Sequence, residues 1–401
     1  MRSLTMPKLT FQSQGQIGDD YWHSILISVL RGLAAFVVAA AHLRAEMYPG
    51  LRTVTDPSLW FQGFAFVTGF AHQAVLVFFL ISGWLVGGSL LSKIGQPGVL
   101  TNYAIDRASR LWTVLVPTFG LTLLLGLGTG VLVPGSIDFS GANEFSALSF
   151  AGNLFGLQGV VLTNFGGNYA LWSLANETWY YVLFPLLVVL FTARRARSRL
   201  ASGAMLALLA TLLPLPILLY FSIWLLGVAF SRVRIECSTA LRCAWLLPLA
   251  AACSYFRLTA DNDRFDQVTL GMDILLSLMF LPLLSSLQFR AAPTSKLARP
   301  LARVGTFFAN FSFSLYVLHL PLIFLLKHVA GTQFGLQQLS PAEPMHFLLY
   351  LGMLAVLLVG SYLSYLLFES QTYRMRHIIK AVVQRRPAAR PAGAAAASAK
   401  R

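Results

Sequence analysis

Residues 24–43, SILISVLRGLAAFVVAAAHL, decide the fold class of this chain. A run of about 20 apolar residues is long enough to cross the hydrocarbon core of a bilayer as a helix. Arg31 and His42 are the only ionisable residues in the run. A cationic side chain inside a bilayer costs at least about 3 kcal/mol, so it is usually kept for a function. We therefore interpret the run as a transmembrane helix that carries a polar site.

The spacing of Arg31 and His42 places them on one side of this helix. They are eleven positions apart, which corresponds to roughly 1100° of rotation, about 20° beyond three full turns, and about 16 Å along the axis. Both side chains are expected to face other helices or a polar cavity. The pattern predicts a site that extends along the helix.

The composition describes a polytopic membrane protein. The 401 residues are 56% hydrophobic and 11% charged, with a mean hydropathy of +0.67. These values exclude soluble globular and disordered chains and predict an all-α membrane fold. The net charge of +15 fits Lys- and Arg-rich cytoplasmic loops in contact with membrane lipids rather than a nucleic-acid partner. Three cysteines with neither disulfide nor zinc spacing predict no metal site.

The charges also predict the topology. With a cytoplasmic N-terminus, 24 of the 30 Lys and Arg residues fall on the inner side of the membrane and 5 on the outer side. This asymmetry favours cytoplasmic positions for both termini. About ten spans are predicted: 24–43, 71–92, 111–133, 174–193, 200–213, 216–231, 243–256, 268–288, 309–327 and 345–368.

The remaining segments complete the domain organisation. Residues 1–23 are predicted to be a cytoplasmic segment without a cleavable signal peptide, residues 24–373 the membrane domain, and residues 374–401 a disordered basic cytoplasmic tail. The apolar stretch 145–163 is a candidate eleventh span. That span would move the Arg194–Arg199 cluster outside, so a re-entrant or interfacial segment is favoured.

His42 is the main candidate for acid–base chemistry. The unperturbed pKa of a histidine lies near neutrality, which suits a general base that activates a hydroxyl, or a shuttle that accepts and returns a proton. The alternative is an interfacial histidine bonded to a loop carbonyl. Arg31 is suited to bind a carbonyl or anionic group, and its alternative is a structural salt bridge with Asp273. The shared face favours function for both residues.

Glu177 follows in the segment NYALWSLANETWYYVLFP. Its carboxylate is a candidate to orient His42 or to hold a sugar hydroxyl, with a helix-start acid as the alternative. Trp172 is a possible site lining, although interfacial tryptophans are common in membrane proteins. Ser82 is another possible lining residue, and close helix packing at Ser82-Gly83 is the favoured alternative.

Two further groups complete the candidate set. Arg107 and Arg110 lie one helical turn apart and are suited to clamp phosphates, with positive-inside anchoring as an equal alternative. Tyr316 and His319 are neighbours on one face of the ninth span. For His319, the residues leave the choice between lining a site and packing open.

These segments, in this order, resemble the acyltransferase-3 family of integral membrane O-acyltransferases, such as those that modify polysaccharide and O-antigen. The resemblance covers about residues 25–375. It is carried by Arg31-x10-His42, FFLISG at 78–83, DRASRLWTVLVP at 106–117, LWSLANE at 171–177 and SFSLYVLHLPL at 312–322. FESQTYR at 368–374 is a looser match, with Gln371 where the family often has proline.

The resemblance implies an enzyme of the bacterial inner membrane that moves an acyl group, most often acetyl, from cytoplasmic acyl-CoA to a hydroxyl of a surface or lipid-linked glycan. It implies that Arg31 and His42 are the essential pair, that Arg107 and Arg110 handle the donor, and that Glu177 is the acid of the WSL motif. Acetyl-CoA is then a substrate, and no cofactor is bound permanently. A secondary transporter or flippase of a glycan-related solute is the main alternative, and a membrane sensor or scaffold is a weaker one.

Overall fold

The computed structural model describes residues 7–13, 18, 20–133, 138–259, 267–292 and 295–383. This part of the chain is almost entirely helical, which confirms the all-α prediction. Two short strands, β1 (Lys8–Phe11) and β2 (Val233–Glu236), form an antiparallel pair. The helices are α1 (Trp22–Met47), α2 (Leu59–Val67), α3 (Ala71–Ser82), α4 (Gly88–Ser92), α5 (Val99–Gly128), α6 (Ala147–Leu154), α7 (Trp172–Thr192), α8 (Ala196–Leu212), α9 (Leu215–Phe230), α10 (Thr239–Thr259), α11 (Gln267–Ser286), α12 (Ala298–Phe334), α13 (Pro344–Leu367) and α14 (Thr372–Val383).

Each of the ten predicted spans corresponds to one helix. Eight helical stretches in the described part of the chain are long and apolar enough to cross a membrane. The other two predicted spans are α8 and α9, which have 17 and 16 residues, or about 25 Å each. The helical structure is interrupted between α8 and α9 at Pro214. From the sequence alone, these two segments are hard to separate. The multi-pass architecture is confirmed.

Helices α1 and α12 run parallel and pack closely along their length. Two glycines allow their backbones to approach closely: a Cβ on Gly32 would lie 2.4 Å from that of Phe308, and a Cβ on Gly305 would lie 2.7 Å from Val29. Small residues at such crossings are typical of membrane helices. The pairing places the face that carries Arg31 and His42 against α12.

A second close contact joins α3 to α9. The helix that begins as α3 continues through a π-helical turn, Gly83–Gly87, into α4. A Cβ on Gly83 would lie 2.0 Å from the carbonyl oxygen of Trp224, and a Cβ on Gly227 would lie 2.2 Å from that of Leu80. The packing alternative for the Ser82-Gly83 pair is therefore correct for the glycine. Ser82 has a different role, described below.

Contacts between loops support the predicted alternation of sides. The pairing of β1 with β2 joins two segments that were predicted to be inside. Asp20 forms an ion pair with Arg290, which also joins two inner segments. On the other side, Lys327 Nζ lies 2.8 Å from Glu46 Oε2. These contacts join segments predicted on the same side, while the side that faces the cytoplasm remains a prediction.

The stretch 145–163 is not an eleventh span. It contains α6, whose eight residues are about 12 Å long, followed by irregular chain. The chain that follows this stretch packs inside the bundle. The ring of Phe165 lies 4.8 Å from that of Phe119, and the side chain of Asn168 donates a hydrogen bond to the carbonyl of Val317. Gly166 has φ 59° and touches Thr122. The choice between a re-entrant and an interfacial position for 145–163 stays a prediction.

The predicted start of the disordered tail at residue 374 is wrong. Residues 372–383 form α14, which packs on α5. Its polar and apolar residues alternate with helical periodicity, and Met375, Ile378 and Val382 are exposed on one side. The rest of the predicted tail, 384–401, and residues 1–6 of the N-terminal segment lie outside the described residues.

Candidate functional site

A cavity of about 550 Å³ lies between α3, α5, α7 and α12. Its mouth is formed by exposed residues around Lys93 and Gln96, at the end of the bundle predicted to face the cytoplasm. Along the α3–α4 helix the lining extends from Phe78 to Lys93, which is roughly 22 Å at 1.5 Å per residue. Six predicted site residues line it: Arg31, Ser82, Arg107, Arg110, Glu177 and Tyr316.

The two donor-binding candidates lie on the face of α5 that lines the cavity. The Arg107 guanidinium lies 5.6 Å from the ring centre of Tyr181 and 6.0 Å from that of Tyr103. Arg110 lies 5.6 Å from the ring of Phe313. Stacked guanidinium groups keep their planar donors available for phosphate or carboxylate. The position of both arginines inside a cavity favours binding over simple anchoring.

Arg31 lines the inner part of the same cavity. Its Nη2 donates to the carbonyl of Ala309 at 3.4 Å, and the charges of Arg110, Glu369 and Glu177 act on it. The alternative of a salt bridge with Asp273 is wrong. Asp273 is occupied by His72 at 2.9 Å and by the hydroxyl of Tyr220 at 2.6 Å.

Glu177 has partners other than the one predicted. Its Oε1 accepts hydrogen bonds from Ser82 and from Tyr181, the latter at 2.5 Å. Trp224 Nε1 in turn donates to Ser82 Oγ at 3.1 Å. Glu177 and Ser82 thus form one hydrogen-bonded unit on the cavity wall. In this structure His42 is oriented by another residue.

His42 forms a hydrogen-bonded pair with His319. The distance from His42 Nδ1 to His319 Nε2 is 2.7 Å, and the rings stack with centroids 5.0 Å apart. His319 is fully buried, whereas His42 is partly exposed beside Tyr169. His319 is therefore a direct partner of His42, and its role in a site stays a prediction.

The surroundings of this pair assign its tautomers. His319 Nδ1 lies 3.2 Å from the carbonyl oxygen of Leu315, and a carbonyl only accepts, so Nδ1 carries the hydrogen. Neutral His319 then accepts at Nε2, which makes His42 Nδ1 the donor. The remaining nitrogen, His42 Nε2, therefore has a free lone pair. This is the form needed for a general base or a nucleophile.

Tyr316 lies next to both the cavity and the histidine pair. It lines the cavity, and its ring lies 5.9 Å from that of His319. Its hydroxyl donates to the carbonyl of Ala170 at 2.7 Å and accepts from Ser173 at 2.5 Å. The side chain is therefore fixed between α7 and α12.

Trp172 does not line the cavity as predicted. It packs edge-on against Phe79, with 6.2 Å between the ring centres, at the margin of the hydrophobic core. Its indole fills space between α7 and α3. Packing of the large Trp172 indole against the apolar side chain of Phe79 explains the presence of a tryptophan here better than a role in the site.

Several charged residues near the site were missed. Asp106, Arg376 and Lys380 line the mouth of the cavity. Glu369 is 7% exposed and accepts from both the backbone N and the hydroxyl of Ser314. Asp106 and Glu369 belong to motifs already quoted, DRASR and FESQTYR, so their acidic character was the available signal. Within the described residues, no group of three His, Cys, Asp or Glu side chains is placed to hold a metal ion.

Comparisons with known proteins identify the family of this chain. The acyltransferase-3 family model, described as an acyltransferase domain, matches residues 25–366. No curated protein and no solved structure matches the chain. Because the family model covers most of its length, the chain belongs to the acyltransferase-3 family and is a multi-pass membrane acyltransferase.

Proposed function

We propose that the protein transfers an acyl group, acetyl in the simplest case, from cytoplasmic acyl-CoA to a hydroxyl of an extracytoplasmic glycan in the bacterial inner membrane. The observation that carries this proposal is the arrangement of one basic cavity and one histidine pair along α1 and α12. The cavity suits the donor, and the pair suits the transfer.

The dimensions and charge of the cavity support an acyl-CoA donor. Coenzyme A carries its phosphates at one end and its thiol at the end of a long pantetheine arm. Arg107 and Arg110 lie on the mouth side of Arg31, so the phosphates would meet them while the arm extends inward. A lining about 22 Å long is of the length that an extended arm needs. Arg31 would then contact a carbonyl of the arm, and the thioester end would extend past Arg31 toward His42, about 16 Å further along α1.

The assigned tautomer supports His42 as the group that reacts. In the base mechanism, His42 Nε2 takes the proton of the acceptor hydroxyl while the oxygen of that hydroxyl attacks the thioester carbonyl. The carbon–sulfur bond breaks, and the thiolate takes that proton and leaves as free CoA. His319 would stabilise the imidazolium only through the single hydrogen bond it accepts.

The same nitrogen supports a carrier mechanism. Here His42 Nε2 attacks the thioester carbonyl first, the carbon–sulfur bond breaks, and CoA leaves as a thiolate that takes a proton from water, while His42 becomes an acyl-imidazolium. The acceptor hydroxyl then attacks this intermediate, gives its proton to water and restores the neutral imidazole. A carrier would allow donor and acceptor to react at different times.

Acetyl transfer can be tested in cells and in vesicles. Surface polysaccharide from cells with and without the protein would be compared by mass spectrometry, with the His42→Ala variant as a third sample. We expect the mass of an acetyl group to be present only with the unaltered protein. Radiolabelled acetyl-CoA supplied to inverted vesicles should label the glycan, whereas right-side-out vesicles should not.

The same samples decide between this proposal and its rival. Normal glycan acylation in cells that contain only His42→Ala would contradict the role given to His42. A glycan that changes in amount at the surface, with no acyl group gained, would favour a transporter or flippase.

A further inference from the structure

The C-terminal helix α14 contributes a basic face to the mouth of the cavity. Arg376 and Lys380, one turn apart, line the cavity together with α5. The opposite side of α14 exposes Met375, Ile378 and Val382. A helix with one cationic and one apolar side lies in the membrane interface. This position brings two additional cations to the place where a soluble donor enters.

Both cations lie against one carboxylate. Lys380 Nζ lies 2.9 Å and Arg376 Nε lies 3.3 Å from the same oxygen, Asp106 Oδ1. The three side chains are about a quarter exposed, so the attraction is partly screened by solvent. Asp106 is also the residue directly before Arg107. A single carboxylate thus faces several cations.

Several buried polar atoms around these ion pairs have no hydrogen-bond partner. Arg376 Nε and Arg107 Nε are both buried and make no hydrogen bond. Asp106 Oδ1 also makes none, because its contacts with Arg376 and Lys380 are close but poorly aligned. Buried polar atoms without partners are rare in folded proteins and usually mark a missing ligand or water. The two Nε atoms belong to side chains that line the cavity. An oxyanion with several acceptors would satisfy them together.

We propose that Arg376 and Lys380 bind phosphate groups at the nucleotide end of the acyl-CoA donor, and that Asp106 holds the two cations while the donor is absent. This inference rests on the proposed function. The donor phosphates replace the carboxylate, so the cations pass from one anion to another. Helix α14 is then a part of the donor site, and Asp106 competes with the donor.

Two donors of different charge test this proposal. Acetyl-CoA and S-acetyl-pantetheine carry the same thioester, but the second has no phosphate groups. In the Arg376→Gln/Lys380→Gln double variant, we expect the KM for acetyl-CoA to rise about tenfold or more, since charge-assisted hydrogen bonds are lost. The KM for S-acetyl-pantetheine should not change. Asp106→Asn should lower the KM for acetyl-CoA, because the competing carboxylate is gone.

Matched controls separate this role from a structural one. Arg374→Gln removes a positive charge from the exposed side of the same helix and should leave both KM values unchanged. If α14 were only anchored by the ion pairs, the double variant would impair both donors equally and Asp106→Asn would raise the KM. Either result overturns the proposal.

Lipid headgroups are a second source of phosphate at this position, and vesicle composition distinguishes them. We expect the effect of the double variant on acetyl-CoA to persist in vesicles of pure phosphatidylcholine. An effect that requires phosphatidylglycerol would assign the two cations to the membrane and overturn the proposal. If the unaltered protein used neither donor, the proposed function itself would be wrong.

Discussion

The two halves of the α1–α12 contact differ in the surroundings that they give to a polar side chain, Arg31 in one half and His42 in the other. At Arg31 the helices border a cavity, and the guanidinium is surrounded by charges from three other elements. At His42 the same two helices are in direct contact, and the partly exposed imidazole is hydrogen-bonded to a fully buried histidine. One parallel pairing therefore produces two compartments, a cavity with charged side chains around Arg31 and a histidine pair at His42. We infer that donor binding and group transfer are separated along a single helix face.

Removing His42 should have the largest effect on this arrangement. His42→Ala deletes the base or nucleophile, and we expect acyl transfer to fall by about a thousandfold or more. Binding of radiolabelled CoA should remain, because the cavity residues are intact. His328→Ala, a histidine nine positions beyond His319 on α12, is the control and should retain transfer. Equal loss of CoA binding in His42→Ala would show that the two compartments are not separate.

Changing His319 should have the next largest effect. His319→Ala leaves His42 Nδ1 without its acceptor, so the tautomer with a free Nε2 is no longer favoured, and we expect transfer to fall about a hundredfold. His319→Gln can place its amide oxygen near the former Nε2 and should recover part of the rate. Both rates are measured at saturating donor. A rate that is equally low in both variants would mean that His319 acts by packing alone.

Arg31 tests the other half of the comparison. Arg31→Lys keeps the charge but loses the planar donors that reach the Ala309 carbonyl and the cavity together. We expect kcat/KM for the acyl donor to fall about tenfold. The His42–His319 pair should be unaffected. Arg52→Lys, at an exposed position, is the control. Unchanged kinetics in Arg31→Lys would show that charge alone is sufficient at this position.

The sequence predicted the helices and the shared face of Arg31 and His42 because both depend on local periodicity. Apolar length sets a span, and a separation of eleven residues sets an angle. Both side chains indeed meet α12, at Ala309 and at His319. These predictions required no knowledge of which helices are neighbours.

The partners of the site residues could not be predicted in this way. His42 and His319 are 277 positions apart, and their contact depends on the parallel register of α1 and α12. Glu177 was paired with His42 because both were expected near the outer side, whereas the fold gives it Ser82. Helix α14 is a different case. The spacing of Met375, Ile378 and Val382 carried a helical signal that the Pro- and Ala-rich sequence after it obscured.

The close crossing of α1 and α12 at Gly32 gives the prediction with the smallest expected effect, and this prediction concerns both compartments. A Cβ on Gly32 would lie 2.4 Å from that of Phe308, so Gly32→Ala forces α1 away from α12 and should lower the free energy of unfolding by about 1–3 kcal/mol. Gly120→Ala on α5, where no atom lies within 4 Å of the new Cβ, should be neutral or stabilising by up to about 1 kcal/mol. Denaturant unfolding in detergent measures both variants. Because Gly32 lies beside Arg31 and ten positions before His42, the displaced helix should also raise the donor KM and slow transfer together. A stable Gly32→Ala protein with unchanged kinetics would contradict the conclusion that this crossing sets the register of both compartments.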